Sequence, residues 1–111
     1  MDFAQEQVGD VLVVKLTGRL DSSTAQPAEE SFTRALGSGS PHIAIDMSKL
    51  DYISSAGLRV LLVVAKKVQQ AKGKVVLFAL VPNVREVFSI SGFDKIFAIQ
   101  SDAGAAVAAV R

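Results

Sequence analysis

Two adjacent hydroxyls, Ser54 and Ser55, stand directly before an apolar run in DYISSAGLRVLL, residues 51 to 62. A serine at a helix start has two uses. Its oxygen can accept a hydrogen bond from an orphan first-turn amide, a contribution of about 1 kcal/mol. It can also carry a phosphoryl group, which there meets the positive end of the helix dipole, favourable by roughly 0.3–1 kcal/mol. Such a group adds about −1.5 to −2 charge to the surface. Capping needs one serine and the sequence supplies two, so these residues leave both uses open. Arg59, four residues after Ser55, is within reach of a phosphate there, or free to meet a partner or water.

Nucleophilic catalysis fits poorly. The nucleophile elbow is G-x-S-x-G, and Ile53-Ser54-Ser55-Ala56-Gly57 lacks its first glycine. His42 is the one histidine, and it follows Pro41 at a strand entrance. A strand entrance lies at the other end of the sheet from a helix start that follows the same strand. The glycine-rich segments lack the lysine and spacing of a P-loop. The expectation is a binding protein and no enzyme.

The chain has 111 residues, half of them hydrophobic, which is room for one domain with a real core over residues 1–111. There is no cysteine, which excludes disulfides, thiolate chemistry and cysteine zinc sites, and fits a reducing compartment. No metal site or other cofactor is expected. Net charge is +1 with both signs interspersed. The basic group Lys66, Lys67, Lys72 and Lys74 lacks interleaved aromatics, so it reads as a solvated face rather than a nucleic-acid stripe. MDFAQEQ has neither the basic region nor the apolar stretch of a signal peptide. The run VLLVVA, residues 60 to 65, is too short to span a bilayer. A cytoplasmic chain contacting neither membrane nor nucleic acid is expected.

The elements that must position the serines follow from pattern. Residues 3 to 8 and 11 to 17 read as a hairpin turning at Val8-Gly9-Asp10, with Leu12, Val14 and Leu16 on one face. Gly18 is expected to break the second strand and open a loop, GRLDSST. A first helix is expected from Ser23, with Gln26 as capping-box partner, Ala25, Ala28, Phe32, Ala35 and Leu36 as its buried stripe, and Gly37 as its stop. GSGSP, residues 37 to 41, reads as a connector. A strand follows from His42 to Met47, with Asp46 at its end, and then a helix over residues 55 to 72 closed by Gly73. Residues 75 to 80 read as a central strand buried on both faces. A helix opening at Pro82 and stopping near Gly92, a strand within 96 to 100, and a terminal helix capped by Ser101 or Asp102 complete the chain. Alternation after an opening hairpin implies an α/β fold: a mixed sheet flanked by about four helices.

On the second helix Leu58, Leu61, Leu62, Ala65 and Val68 form the expected sheet-facing stripe. Val60 and Val64 flank it, and Val63 falls on the outer face between Arg59 and Lys66. An exposed valine there is either ordinary or part of a docking surface beside Ser55.

Residues 46 to 62, DMSKLDYISSAGLRVLL, resemble the signature of single-domain STAS proteins, the bacterial anti-sigma factor antagonists. LTGRLD (16 to 21), KGKVVLFAL (72 to 80) and VREVFSISGFDKIF (84 to 97) are similar to other family segments, in family order. The resemblance implies the STAS fold and a partner switch. Dephosphorylated, such a protein binds an anti-sigma factor that is itself a serine kinase of histidine-kinase-like ATPase fold. The kinase phosphorylates a serine at the helix start and the pair separates, and a PP2C-type phosphatase restores binding. Counting back from Gly57, the implied acceptor is Ser55, with Ser54 the runner-up. Ser54 stands where many members carry aspartate, and Ala56 where many carry a second hydroxyl.

The resemblance further implies a partner surface of Asp21, Ser54, Ser55, Ala56, Gly57, Arg59 and Val63. For Asp21 a turn or capping role stays open beside docking. Asp46 is expected either to hold backbone amides of the switch loop or simply to end a strand. An alternative is a STAS accessory subunit of a transporter ATPase or sensory complex with no phosphate cycle.

Overall fold

In the computed structural model, which describes residues 1–37 and 42–110, β1 (Asp2–Val8) and β2 (Val11–Leu20) form an antiparallel hairpin. Gly9 takes a φ of +61° at the turn, the conformation a two-residue hairpin loop requires of its first residue. The expected break at Gly18 does not occur. β2 runs on to Leu20, with Gly18 at φ +109°, and its register against the next strand slips between Lys15 and Thr17 and again between Gly18 and Arg19. A glycine inside a strand that is paired on both sides produces a bulge rather than a stop.

The bulged extension of β2 carries its neighbour with it. β3 (His42–Ile53) continues well past Met47 because Arg19 and Leu20 pair with Tyr52 and Ile53. Asp46 therefore lies inside the strand, where its Oδ1 accepts from the Ser48 amide at 2.9 Å beside the first slip. It does not reach the segment before Ser55. The connector expected at residues 37 to 41 lies outside the described residues beyond Gly37.

β4 (Lys74–Phe78) and β5 (Ala98–Gln100) complete a five-stranded sheet in the order β1-β2-β3-β4-β5, parallel from β2 onward. Val76, Leu77 and Phe78 are all buried, so β4 is covered on both faces, as its continuous apolar run predicts. The parallel strands advance in one direction, so right-handed crossovers bring the three connecting helices to one face. These are α1 (Ala25–Leu36), α2 (Ser55–Gln70) and α3 (Pro82–Ser91). Their Phe32, Leu61 and Phe88 share a core with Leu12, Val14, Ile43 and Ile45. The last helix, α4 (Ala103–Val110), covers the other face, where Ala106 and Val110 pack on Val11, Ala44 and Phe78. Asp102 caps it, accepting from the Ala105 amide at 2.8 Å.

Two local expectations need correction. α1 starts at Ala25 with Thr24 at its N-cap position, and neither Thr24 nor Ser23 caps through its side chain. Both hydroxyls bind the preceding loop instead. On α2 the buried positions are Gly57, Leu58, Val60, Leu61, Val64 and Val68, while Leu62 and Ala65 are only half-buried. α2 packs against α1 as well as the sheet, which turns its apolar sector toward Val60 and Val64.

Candidate functional site

Parallel strands deliver their C-terminal ends to one edge of the sheet, and the α2 start sits there. Extended backbone at Ser54 (φ −103°, ψ 178°) hands β3 directly to α2. The Ser54 amide donates to the Leu20 carbonyl oxygen at 3.0 Å, pinning the end of β2 to the start of α2. Asp21 and Ser55 are each one residue beyond that bond, so the loop before α1 and the first residue of α2 are neighbours.

The serines divide their work. Ser54 Oγ accepts from the Gly57 amide at 3.4 Å and is half-buried. Ser55, the first helical residue, is exposed, and its hydroxyl has no hydrogen-bond partner among the described residues. A cap bond of this length places Ser54→Ala at the low end of the usual range, so a loss of about 0.5–1 kcal/mol is expected. Urea unfolding of the variant measures it. Ser55→Ala, removing an exposed and unbonded hydroxyl, is expected to leave the midpoint unchanged.

Asp21 is held by its own loop. Its Oδ1 accepts from the Ser23 hydroxyl at 2.7 Å and the Ser23 amide at 3.0 Å, and its amide donates to Thr24 Oγ1 at 2.9 Å. Thr24 in turn donates to the Arg19 carbonyl oxygen at 2.9 Å. The Ser23 hydroxyl and then the Ser23 amide, with Arg19 Nε at 3.5 Å from Oδ2 assisting, hold the Asp21 carboxyl below the ordinary aspartate range. A depressed folded value means stability that is present above the unfolded pKa and lost as pH falls through the folded one. Side-chain carbonyl NMR is expected to place the Asp21 midpoint below that of an exposed aspartate, and Asp21→Asn to remove its share of the acid-side loss.

Sequence reasoning missed the Arg19–Tyr52 platform. The Arg19 guanidinium carbon lies 4.2 Å from the centroid of the Tyr52 ring, across the β2–β3 pair that the bulge creates. Both side chains are substantially exposed, and such a stack contributes roughly 0.5–1 kcal/mol. No signal in the sequence pairs these residues, because the two slips set their register.

Of the other expected site residues, Ala56, Arg59 and Val63 come together. With Ser22, Gln26 and Glu29 of the α1 side they line a groove of about 460 Å³ between α1 and α2. Arg59 is exposed, while Val63 is half-buried in the groove rather than facing water. Gly57 departs from expectation: it is buried, and a Cβ there would lie 2.5 Å from the Leu20 carbonyl oxygen. It lets the helix approach β2 and does not itself present a surface. His42 stands at the opposite end of β3 from Ser55, on the order of 30 Å away at ~3.3 Å per residue. The exposed serine therefore has no imidazole base.

A five-stranded mixed sheet with three helices on one face, and a capped helix start beside a fixed aspartate loop, define a STAS-type binding domain. The family model for the STAS domain matches residues 2–106, and the chain belongs to that family. It is 40% identical over 111 residues to BtrV of Bordetella bronchiseptica, described as an anti-sigma factor antagonist, covering 100% of this chain and 96% of that one. It is 30% identical over 100 residues to the anti-sigma F factor antagonist of Paenibacillus polymyxa, covering 89% and 86%. Among solved structures, an anti-sigma factor antagonist from Mycobacterium paratuberculosis superimposes with a TM-score of 0.89 at 27% identity, covering 99% and 93%.

Proposed function

We propose that the chain is an anti-sigma factor antagonist, a single-domain cytoplasmic binding module whose affinity is switched at Ser55. The observation that carries this reading is the division between the serines, with Ser54 spent on the helix cap and Ser55 exposed and unbonded beside an ionised Asp21. The partner is a serine-kinase anti-sigma factor of histidine-kinase-like ATPase fold, and a PP2C-type phosphatase reverses the modification. Asp21, Ser54, Ser55, Ala56, Arg59 and Val63 make up the contact surface. Unmodified, the surface binds the kinase and frees the sigma factor or other target. Modified, it presents a dianion where the contact must lose water, next to a carboxylate of the same sign.

The test is intact mass after incubation with the candidate kinase and ATP. One phosphate on the wild type and none on Ser55→Ala is the expected result. Phosphate mapped to Ser54 overturns the residue assignment. Stable capture by a transporter ATPase, without phosphorylation by any neighbouring kinase, overturns the switch.

A further inference from the structure

The basic group at the far end of α2 takes no part in the surface around Ser55. From Ser55 to Lys66 the helix rises roughly 16 Å. Lys67 is already engaged, donating from Nζ to Thr33 Oγ1 at 2.9 Å. Lys66 and Lys74 instead stand exposed on the rim of a cleft of about 630 Å³ between α2, the start of β4 and the chain entering β5. Its floor includes Leu62, Ala65 and Val75, and Ile96 at its edge is 58% exposed. No acidic residue lines it, and neither lysine has an ion-pair partner among the described residues. β5 pairs with β4 only at Val76, Leu77 and Phe78, so Lys74 and Val75 have no strand beside them on that side.

We propose that this cleft docks a peptide segment of a partner protein in which an apolar side chain is flanked by aspartate or glutamate. The apolar side chain seats between Leu62 and Ile96, removing an exposed isoleucine from water. The flanking carboxylates meet Lys66 and Lys74, and the same two charges reject basic segments. The cleft is only partly enclosed, which suits a length of chain better than a small molecule, whose pocket usually encloses most of its surface. This second surface is independent of the reading of Ser55.

The test titrates the ¹⁵N-labelled full chain with the synthetic peptide acetyl-EELFEE-amide to several millimolar. Shifts confined to amides of the α2 end, the start of β4 and the segment around Ile96 are expected. The doubly substituted Lys66→Glu, Lys74→Glu chain, whose own spectrum reports folding, is expected to bind at least about tenfold more weakly. Acetyl-KKLFKK-amide is expected to be weaker on the wild type by a similar factor, and Ser55→Glu to bind EELFEE as the wild type does. An unresponsive cleft, equal response to both peptides, or unchanged affinity in the doubly substituted chain overturns the proposal. Shifts of the same amides on simple concentration assign the cleft to a second copy. Shifts produced by phosphatidylglycerol vesicles and not by the peptide assign it to a membrane surface. Either result overturns it too.

Discussion

Ser55→Glu, or phosphorylation of Ser55, is expected to weaken binding to the partner kinase about 30-fold to several-thousand-fold while leaving the fold intact. An unpaired charge forced into a desolvated contact costs roughly 2–5 kcal/mol, and each 1.4 kcal/mol is tenfold. Glutamate carries one charge to the phosphate's nearly two, so it belongs at the lower end. Stability is expected to hold because Ser55 is exposed, has no side-chain bond to lose, and stands where the helix dipole favours an anion. A dipole gain of roughly 0.3–1 kcal/mol raises the unfolding midpoint by about 1–8 °C, so thermal unfolding is expected to show no fall. Calorimetric titration of wild type, Ser55→Glu and the phosphorylated chain with the kinase measures the first effect. Equal affinity across the three sinks the switch. Ser54→Glu supplies the contrast, since it disturbs the half-buried cap and is expected to lose stability as well as affinity.

The second large effect lies at Gly57. An added Cβ would come within 2.5 Å of the Leu20 carbonyl oxygen, 2.8 Å of Ile53 Cγ1 and 2.9 Å of Leu20 Cγ. The nearest of these atoms is backbone, and the same oxygen accepts the Ser54 amide at 3.0 Å. It cannot retreat without breaking the bond that joins β2 to α2. Gly57→Ala is therefore expected to cost about 1–3 kcal/mol, a fall in Tm on the order of 5–20 °C. Circular dichroism melting measures it, and a midpoint within about 2 °C of wild type would falsify the packing account. Because α2 must back away from β2, Ser55 also moves relative to Asp21. Partner affinity is then expected to drop even at temperatures where the variant is folded.

Much of this was legible before any coordinates. Leu12, Val14, Leu16, Phe32, Leu61 and Val68 fall at helix or strand spacing, and all are buried where that spacing puts them. Gly92 ends α3 in the left-handed conformation (φ +79°), as a glycine after an apolar stripe predicts. The paired serines ahead of Gly57 stand at the start of α2, where the apolar run that follows them puts a helix start.

Periodicity along one segment records which side of that segment is apolar, so the elements and the position of the serines were determined by the chain itself. It does not record what arrives from elsewhere. The run of β2 through Gly18, the Arg19–Tyr52 stack and the division between Ser54 and Ser55 depend on how β2 sits against β3 and the α2 start. The burial of Val60 and Val64 depends on α1, and that of Gly57 on Leu20 and Ile53. Each is a contact between residues far apart in the chain, fixed by strand register and helix packing, and only the tertiary structure decided it.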